Sequence, residues 1–354
     1  MSENSPSKEA KEPKRVRKLQ TKKIADLLLN NALLIIMAIS VIYIAVKNPN
    51  FIKPASIINI LSQTAAYLPV ALGVGGCIVL TGTDLSAGRV VGLTACISAS
   101  LLQSVTTMNK MWPNIEPLPV WLVFILVVVI GTLIGAFNGF FVAKFKLHPF
   151  IVTLGSQLII YTLILIYVKS GQNRGMAISG LDASYSNLVV GSFLKIGGTP
   201  IPNYVWLSVF LTALMWFIWN KTVFGKNMFA LGSNEEAATV SGVNVFRTIV
   251  MVFALAGAMY AITGFVEGAR VASNTANTGF NYELDGIAAC VIGGVSFVGG
   301  IGKISGVIIG VLMLRLIFVG LNMMGINQDF FYLIKGGIIL FACALDMRKY
   351  LKKR

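Results

Sequence analysis

The chain has 354 residues, of which 56% belong to the hydrophobic set and only 12% are charged, and its mean hydropathy is +0.78. A soluble domain carries about a quarter charged residues, so this composition points to a membrane and excludes an ordinary soluble enzyme. The formal net charge of +15 suits either nucleic acid or an anionic lipid surface, and the placement of the cations decides between them. Lys8, Lys11, Lys14, Arg15, Arg17, Lys18, Lys22 and Lys23 crowd the start of the chain, and Arg348, Lys349, Lys352, Lys353 and Arg354 close it. Basic tails beside apolar segments read as cytosolic flanks touching membrane lipid. An RNA-binding tail is the alternative, but no RNA-binding module follows either tail, and no nucleic-acid partner is expected.

Apolar runs long enough to cross ~30 Å of hydrocarbon, about 20 residues each, fall at 24–46, 57–80, 87–105, 119–143, 148–168, 204–220, 247–268, 283–299, 302–323 and 329–346. The expectation is an all-α integral membrane protein of about ten transmembrane helices, some of them broken. It divides into a basic tail 1–23, a transmembrane domain 24–346 and a basic tail 347–354. The first run lacks a small-residue cleavage pattern and follows a polar tail, so it is expected to stay as a membrane helix. An even number of spans puts both termini on one side. Placing that side in the cytosol leaves only Lys47, Lys53, Lys110, Lys169, Arg174, Lys195 and Arg270 outside, as the positive-inside rule requires.

Between the runs, the outer loop around 169–203 is rich in Gly, Ser and Asn and reads as a partner contact or a passive connector. The inner loop around 221–246 contains Asn234-Glu-Glu-Ala-Ala-Thr-Val-Ser241, a short helix with Ser233 or Asn234 as N-cap, acids in its first turn and Gly242 as its stop. Gly131, Gly135 and Gly139, like Gly302, Gly306 and Gly310, recur every four residues and mark close helix packing. Gly82, Gly88, Gly294 and Gly300 cluster instead at junctions that also hold polar residues, Asp84, Ser86 and Ser296 among them, and are candidates for a pathway or a helix break.

Catalytic machinery is missing. Gly302-Lys303 lacks the rest of a P-loop, and with one histidine, no G-x-S-x-G elbow and no H-E-x-x-H pair the chain shows no nucleophile or zinc site. No cofactor or metal is expected. Cys77, Cys96, Cys290 and Cys343 read as buried small hydrophobes, and His148 as a loop residue or one at the start of a helix. Asp84 needs a partner at membrane depth, with Arg89 near enough in sequence, or else Thr81–Arg89 is an interfacial turn with Ser86 capping the next helix. Glu267 and Arg270 are spaced for a local ion pair, and Glu283 and Asp285 are expected at the outer rim. Deep ionisable residues are then few, Asp84, Arg315 and Lys335 with Asp26 near the inner flank, which disfavours the rival reading of an ion-coupled secondary transporter.

Three separated stretches, Gly82-Thr-Asp-Leu-Ser-Ala-Gly88, the loop from Phe224 through Asn244, and Gly293-Gly-Val-Ser-Phe-Val-Gly-Gly300, resemble the permease subunits of ribose- and galactose-type ABC importers. Gly82–Arg89 and Tyr282–Cys290 are most similar to the galactose/methylgalactoside type, and the resemblance covers the chain from about Asn48 onward. Glu236, Ala237, Ala238 and Gly242 match the E-A-A-x-x-x-G pattern with which importer permeases meet their ATPases. The resemblance implies a non-catalytic permease in the bacterial cytoplasmic membrane. It also implies a cytosolic ABC ATPase, an extracytoplasmic sugar-binding protein and a second permease copy as partners. The cargo it implies is a neutral monosaccharide, with a pentose or nucleoside as alternatives.

Overall fold

The computed structural model describes residues 32–351, so the basic stretch 1–23 and the start of the first apolar run lie outside the described residues. Those described form a mostly helical chain: α1 Ala32–Lys47, α2 Pro54–Val79, α3 Ala87–Leu101, α4 Val120–Phe145, α5 Pro149–Ser170, α6 Ala183–Val189, α7 Asn203–Lys221, α8 Val223–Ser233, α9 Glu235–Val240, α10 Val245–Val271, α11 Tyr282–Ile292, α12 Ile304–Met323 and α13 Asp329–Leu351. α13 runs well into the stretch assigned to the C-terminal tail.

Among the described residues five helices, α2, α4, α5, α10 and α12, are long and apolar enough to cross a membrane. The α7–α8 pair, bent by 68°, passes the same test as one broken span. Two expected runs fold differently. The run 87–105 gives only the 15 residues of α3, and 283–299 gives only the 11 of α11, against about 20 for a full crossing. α11 stops at Gly293-Gly294 because Gly294 turns left-handed at φ +80°. The Gly294 and Val295 amides then donate back to Val291 and Cys290, both at 2.9 Å, and close the helix. Residues 293–299 of that run form the turn that follows α11. The non-helical stretch 275–281 runs along α3, with the Cys96 thiol donating to Thr275 O at 3.4 Å and Arg89 to Ala276 O at 3.2 Å. Irregular backbone is thus held against protein.

α10 is the central helix, with α2, α3 and α4 packed on it. Gly131, Gly135 and Gly139 bring α4 against it so tightly that a Cβ on Gly257 would run into the Gly131 carbonyl. Gly306 and Gly310 do the same between α12 and α11, facing Gly293 and Ala289. At one end of the bundle the loop 169–203, read as a connector or contact surface, folds: β1 Ile178–Ser179 pairs antiparallel with β4 Ser273–Asn274, and β2 Leu194–Ile196 with β3 Thr199–Ile201. Between β1 and β2, α6 is capped by Asp182, which accepts from Ser184 N at 2.9 Å, and the Tyr185 hydroxyl donates to Phe265 O. The opposite end carries α9.

A Leu at Gly257 should therefore push α4 off α10 and cost about 1–3 kcal/mol, whereas Gly155→Ala, at a position with nothing within 4 Å of an added Cβ, should be neutral. Thermal unfolding of the two variants in one mild detergent compares them directly.

Candidate functional site

Three segments meet at the α9 end. The last carbonyl of α2, Val79 O, accepts from Gly300 N at 2.9 Å. Gly232, in the last turn of α8, lies so close to the same carbonyl that no Cβ fits between them. Gly300 is held at φ +67° with Ser233 against it, so both its backbone and its lack of a side chain are required. α9 follows directly. Its N-cap is Asn234, whose Oδ1 accepts from Ala237 N at 2.9 Å, as the sequence suggested, while Ser233 belongs to α8. Gly242, φ +84°, ends it. Glu235, Glu236 and Ala237 are exposed, Ala238 is buried, and the apolar Val240 is 91% exposed.

The other sequence candidates fall around the two breaks. Gly82, Asp84 and Ser86 lie between α2 and α3, and Gly88 already lies inside α3, against Gly279 and Glu283. Gly82 is needed for room, since a Cβ there would sit 2.8 Å from Pro149 Cγ. Asp84 is fully buried but does not pair with Arg89. Its Oδ1 accepts from Ser86 N at 2.9 Å and Ser86 Oγ at 2.6 Å, and Asn138 donates to Ser86 Oγ at 3.0 Å. That engaged hydroxyl is why Ser86, though at the N-cap position of α3, makes no capping bond. The Arg89 guanidinium turns instead over Tyr161, 4.2 Å from its ring centre. Gly294, Ser296 and Gly300 occupy the turn between α11 and α12, where Ser296 Oγ accepts from Val298 N at 3.2 Å. His148 opens α5, its Nδ1 accepting from Phe150 N.

A polar cavity is lined by residues that the sequence reading left apart. Glu283 and Asp285, expected at the outer rim, are buried, and Asp285 has two cations beside it: Arg315 reaches its Oδ2 at 3.1 Å and Lys335 its Oδ1 at 2.6 Å. The Arg315 guanidinium also lies 3.7 Å from the centre of the Tyr67 ring. Beside this cluster Glu267 and Arg270 form the expected ion pair, bidentate with both bonds at 2.7 Å, and the Tyr282 hydroxyl donates to Glu267. Around Asp285 lies a cavity of about 450 Å³ walled by α2, α11, α12 and α13 and reaching the α12–α13 turn at Gln328. Asn59, Gln63 and Tyr67 project into it from successive turns of α2. Their i, i+4 spacing in an otherwise apolar helix is the signal that could have found them. Among the described residues no cluster of His, Cys, Asp and Glu is placed to hold a metal. The arrangement presents polar side chains and ion pairs to the cavity, and no nucleophile paired with a base stands among its lining residues.

Because Asp285 neutralises two buried cations, Asp285→Ala should destabilise the protein by about 3–5 kcal/mol, and Lys335→Met, which leaves the Arg315 pair intact, by clearly less. Denaturation midpoints of the purified variants test the order.

Comparison with known proteins fits a polar cavity inside an apolar bundle. The family described as branched-chain amino acid transport system / permease component matches residues 56–343. The galactose/methyl galactoside import permease protein MglC of Salmonella typhimurium is 45% identical over 322 residues, covering 91% of this chain and 94% of its own length. Its namesake in Escherichia coli is 42% identical over 336 residues, covering 95% and 99%. The ribose import permease protein RbsC of Bacillus subtilis is 35% identical over 311 residues, 88% of this chain and 90% of the relative. No solved structure gives a significant match. A match that runs from α2 to α13 at such identities makes this chain a member of the branched-chain amino acid transport system / permease component family of membrane proteins.

Proposed function

We propose that the chain is the membrane-spanning permease subunit of an ATP-driven importer that carries a neutral monosaccharide, galactose in type, across the bacterial cytoplasmic membrane. The observation that carries this reading is the 45% identity to a galactose/methyl galactoside import permease across 91% of the chain. The balance of charge in the cavity supports a neutral cargo: its ionisable walls are Asp285 and Asp329 against Arg315 and Lys335, with no surplus of cations to hold a phosphate or carboxylate.

In this reading the chain crosses the membrane ten times with both termini cytosolic, α3 and α11 being the short passes, and it works as a pair of copies. The sugar-binding protein meets the hairpin end and the ATPase meets α9. Support for the ATPase contact comes from the match of Glu236, Ala237, Ala238 and Gly242 to the importer pattern and from Val240, an exposed apolar side chain that a partner would cover. Movement of α9 would pass through α8 to Val79 and Gly300, and so to both breaks, where Gly82, Asp84, Ser86, Gly294 and Ser296 lie, with Gly88 in the first turn of α3. Chemistry stays with the ATPase, and the permease supplies the path.

Two measurements test this. Proteoliposomes holding the chain with its ATPase and binding protein, loaded with ATP, should take up labelled galactose, and uptake of a nucleoside with no sugar uptake would overturn the cargo. Gly242→Val should strain the left-handed end of α9 by ~1–2 kcal/mol and lower coupled transport by about 10-fold, without loss of membrane insertion. Gly242→Asn, which tolerates positive φ, should retain transport. Normal transport in the Val variant would remove the coupling role.

A further inference from the structure

We infer that the cavity between α2, α11, α12 and α13 is a weak binding site for a neutral pyranose on the permease itself, an inference that rests on the sugar-importer reading above. Beside Asp285, Arg315, Asp329 and Lys335 its polar wall carries side-chain amides: Asn59 and Gln63 from α2, Asn322 from α12 and Gln328 from the turn that follows. Each amide both donates and accepts, which is what neighbouring sugar hydroxyls require, since every hydroxyl also does both. Aromatic rings complete the wall, and Phe280 and Tyr332, 50% and 55% exposed, have ring surface to offer to the C–H face of a pyranose. The volume, about 450 Å³, lies within the ~300–1,000 Å³ usual for small-molecule pockets.

Charge narrows the ligand further. Arg315 and Lys335 are both committed to Asp285, so an anion would have to displace a buried carboxylate to reach them. A neutral ligand meets no such competitor. The half-exposed aromatic wall keeps the contact weak, as a transported solute must be released as readily as it is taken up.

The test uses the permease–ATPase complex with a single reporter, Met323→Cys in a Cys343→Ser background, placed on the cavity wall outside the amide set. An impermeant methanethiosulfonate reagent should label it more slowly in excess galactose than in the same concentration of mannitol, an open-chain polyol, or gluconate, an anion. Adding Gln63→Leu with Asn322→Leu, which keep bulk and remove hydrogen bonding, should raise the galactose concentration needed for protection by about 5-fold or more. Galactose uptake by the complete unmodified importer is measured alongside. Uptake without any galactose-specific protection of the reporter overturns the cavity site and leaves the importer reading standing. Failure to take up any monosaccharide overturns the importer reading, and the assigned ligand with it.

Discussion

A helix that ends against other helices must hand its freed peptide groups to a partner, because an unpaired buried amide or carbonyl costs free energy. This chain breaks after α2 and again between α11 and α12, and it joins the two breaks through one contact, the Gly300 amide donating to the Val79 carbonyl. Everything at the α9 end is arranged around that bond. Gly232 must be glycine for α8 to reach it, Gly300 must be glycine to turn beneath Ser233, and Thr81 takes φ +62° so that Gly82 N can return to Cys77 O and close α2. The bend between α7 and α8 then follows, since a straight continuation of α7 would carry Gly232 away from Val79.

The buried charges bear on the kind of transporter this is. A protein that couples transport to an ion needs an acid free to change partners within the membrane. Here Asp285 is shared by Arg315 and Lys335, and Glu267 is held bidentately by Arg270 and by Tyr282. Asp84 has no cation, yet it is fully buried, bonded to Ser86 and absent from the cavity wall. These ion pairs brace the helices, and the chain belongs to a family of permease components.

Much of this was legible in the sequence, and the misses have physical causes. The apolar runs located the long helices to within a few residues, and Asn234 with Gly242 bracketed α9 because cap chemistry is local. The span count was harder to read, because a run of apolar residues does not show where a left-handed glycine such as Gly294 ends a helix: the run 283–299 yields α11 only as far as Ile292. Asp84 and Arg89 looked like partners because they are neighbours in sequence, but Arg89 finds the Tyr161 ring and Ala276 O, partners that only the fold brings near. The Asp285 cluster joins α11, α12 and α13 across long separations, and no local pattern announces such a pairing. The amides Asn59 and Gln63 were visible as a polar i, i+4 spacing in α2.

The cavity and the α9 junction are far apart in sequence but share three helices. α2 carries Tyr67 at the cavity and Val79 at the junction, roughly 18 Å of helix at 1.5 Å per residue, with Pro69 inside it. α11 runs from Asp285 to the turn at Gly293, and α12 from the residues after Gly302 to Arg315 and Phe318. A displacement at Gly232 thus reaches α2 at Val79 and the α11–α12 turn at Gly300 together. Those same helices hold Tyr67, Asp285 and Arg315 in contact, so they cannot tilt relative to one another without changing the ring-to-guanidinium distance and the Asp285–Arg315 ion pair. Because packed interfaces shift between discrete arrangements rather than deforming smoothly, a push on α9 has a direct mechanical route to the shape of the cavity. The binding site inferred there and the ATPase contact proposed at α9 are then two ends of one lever.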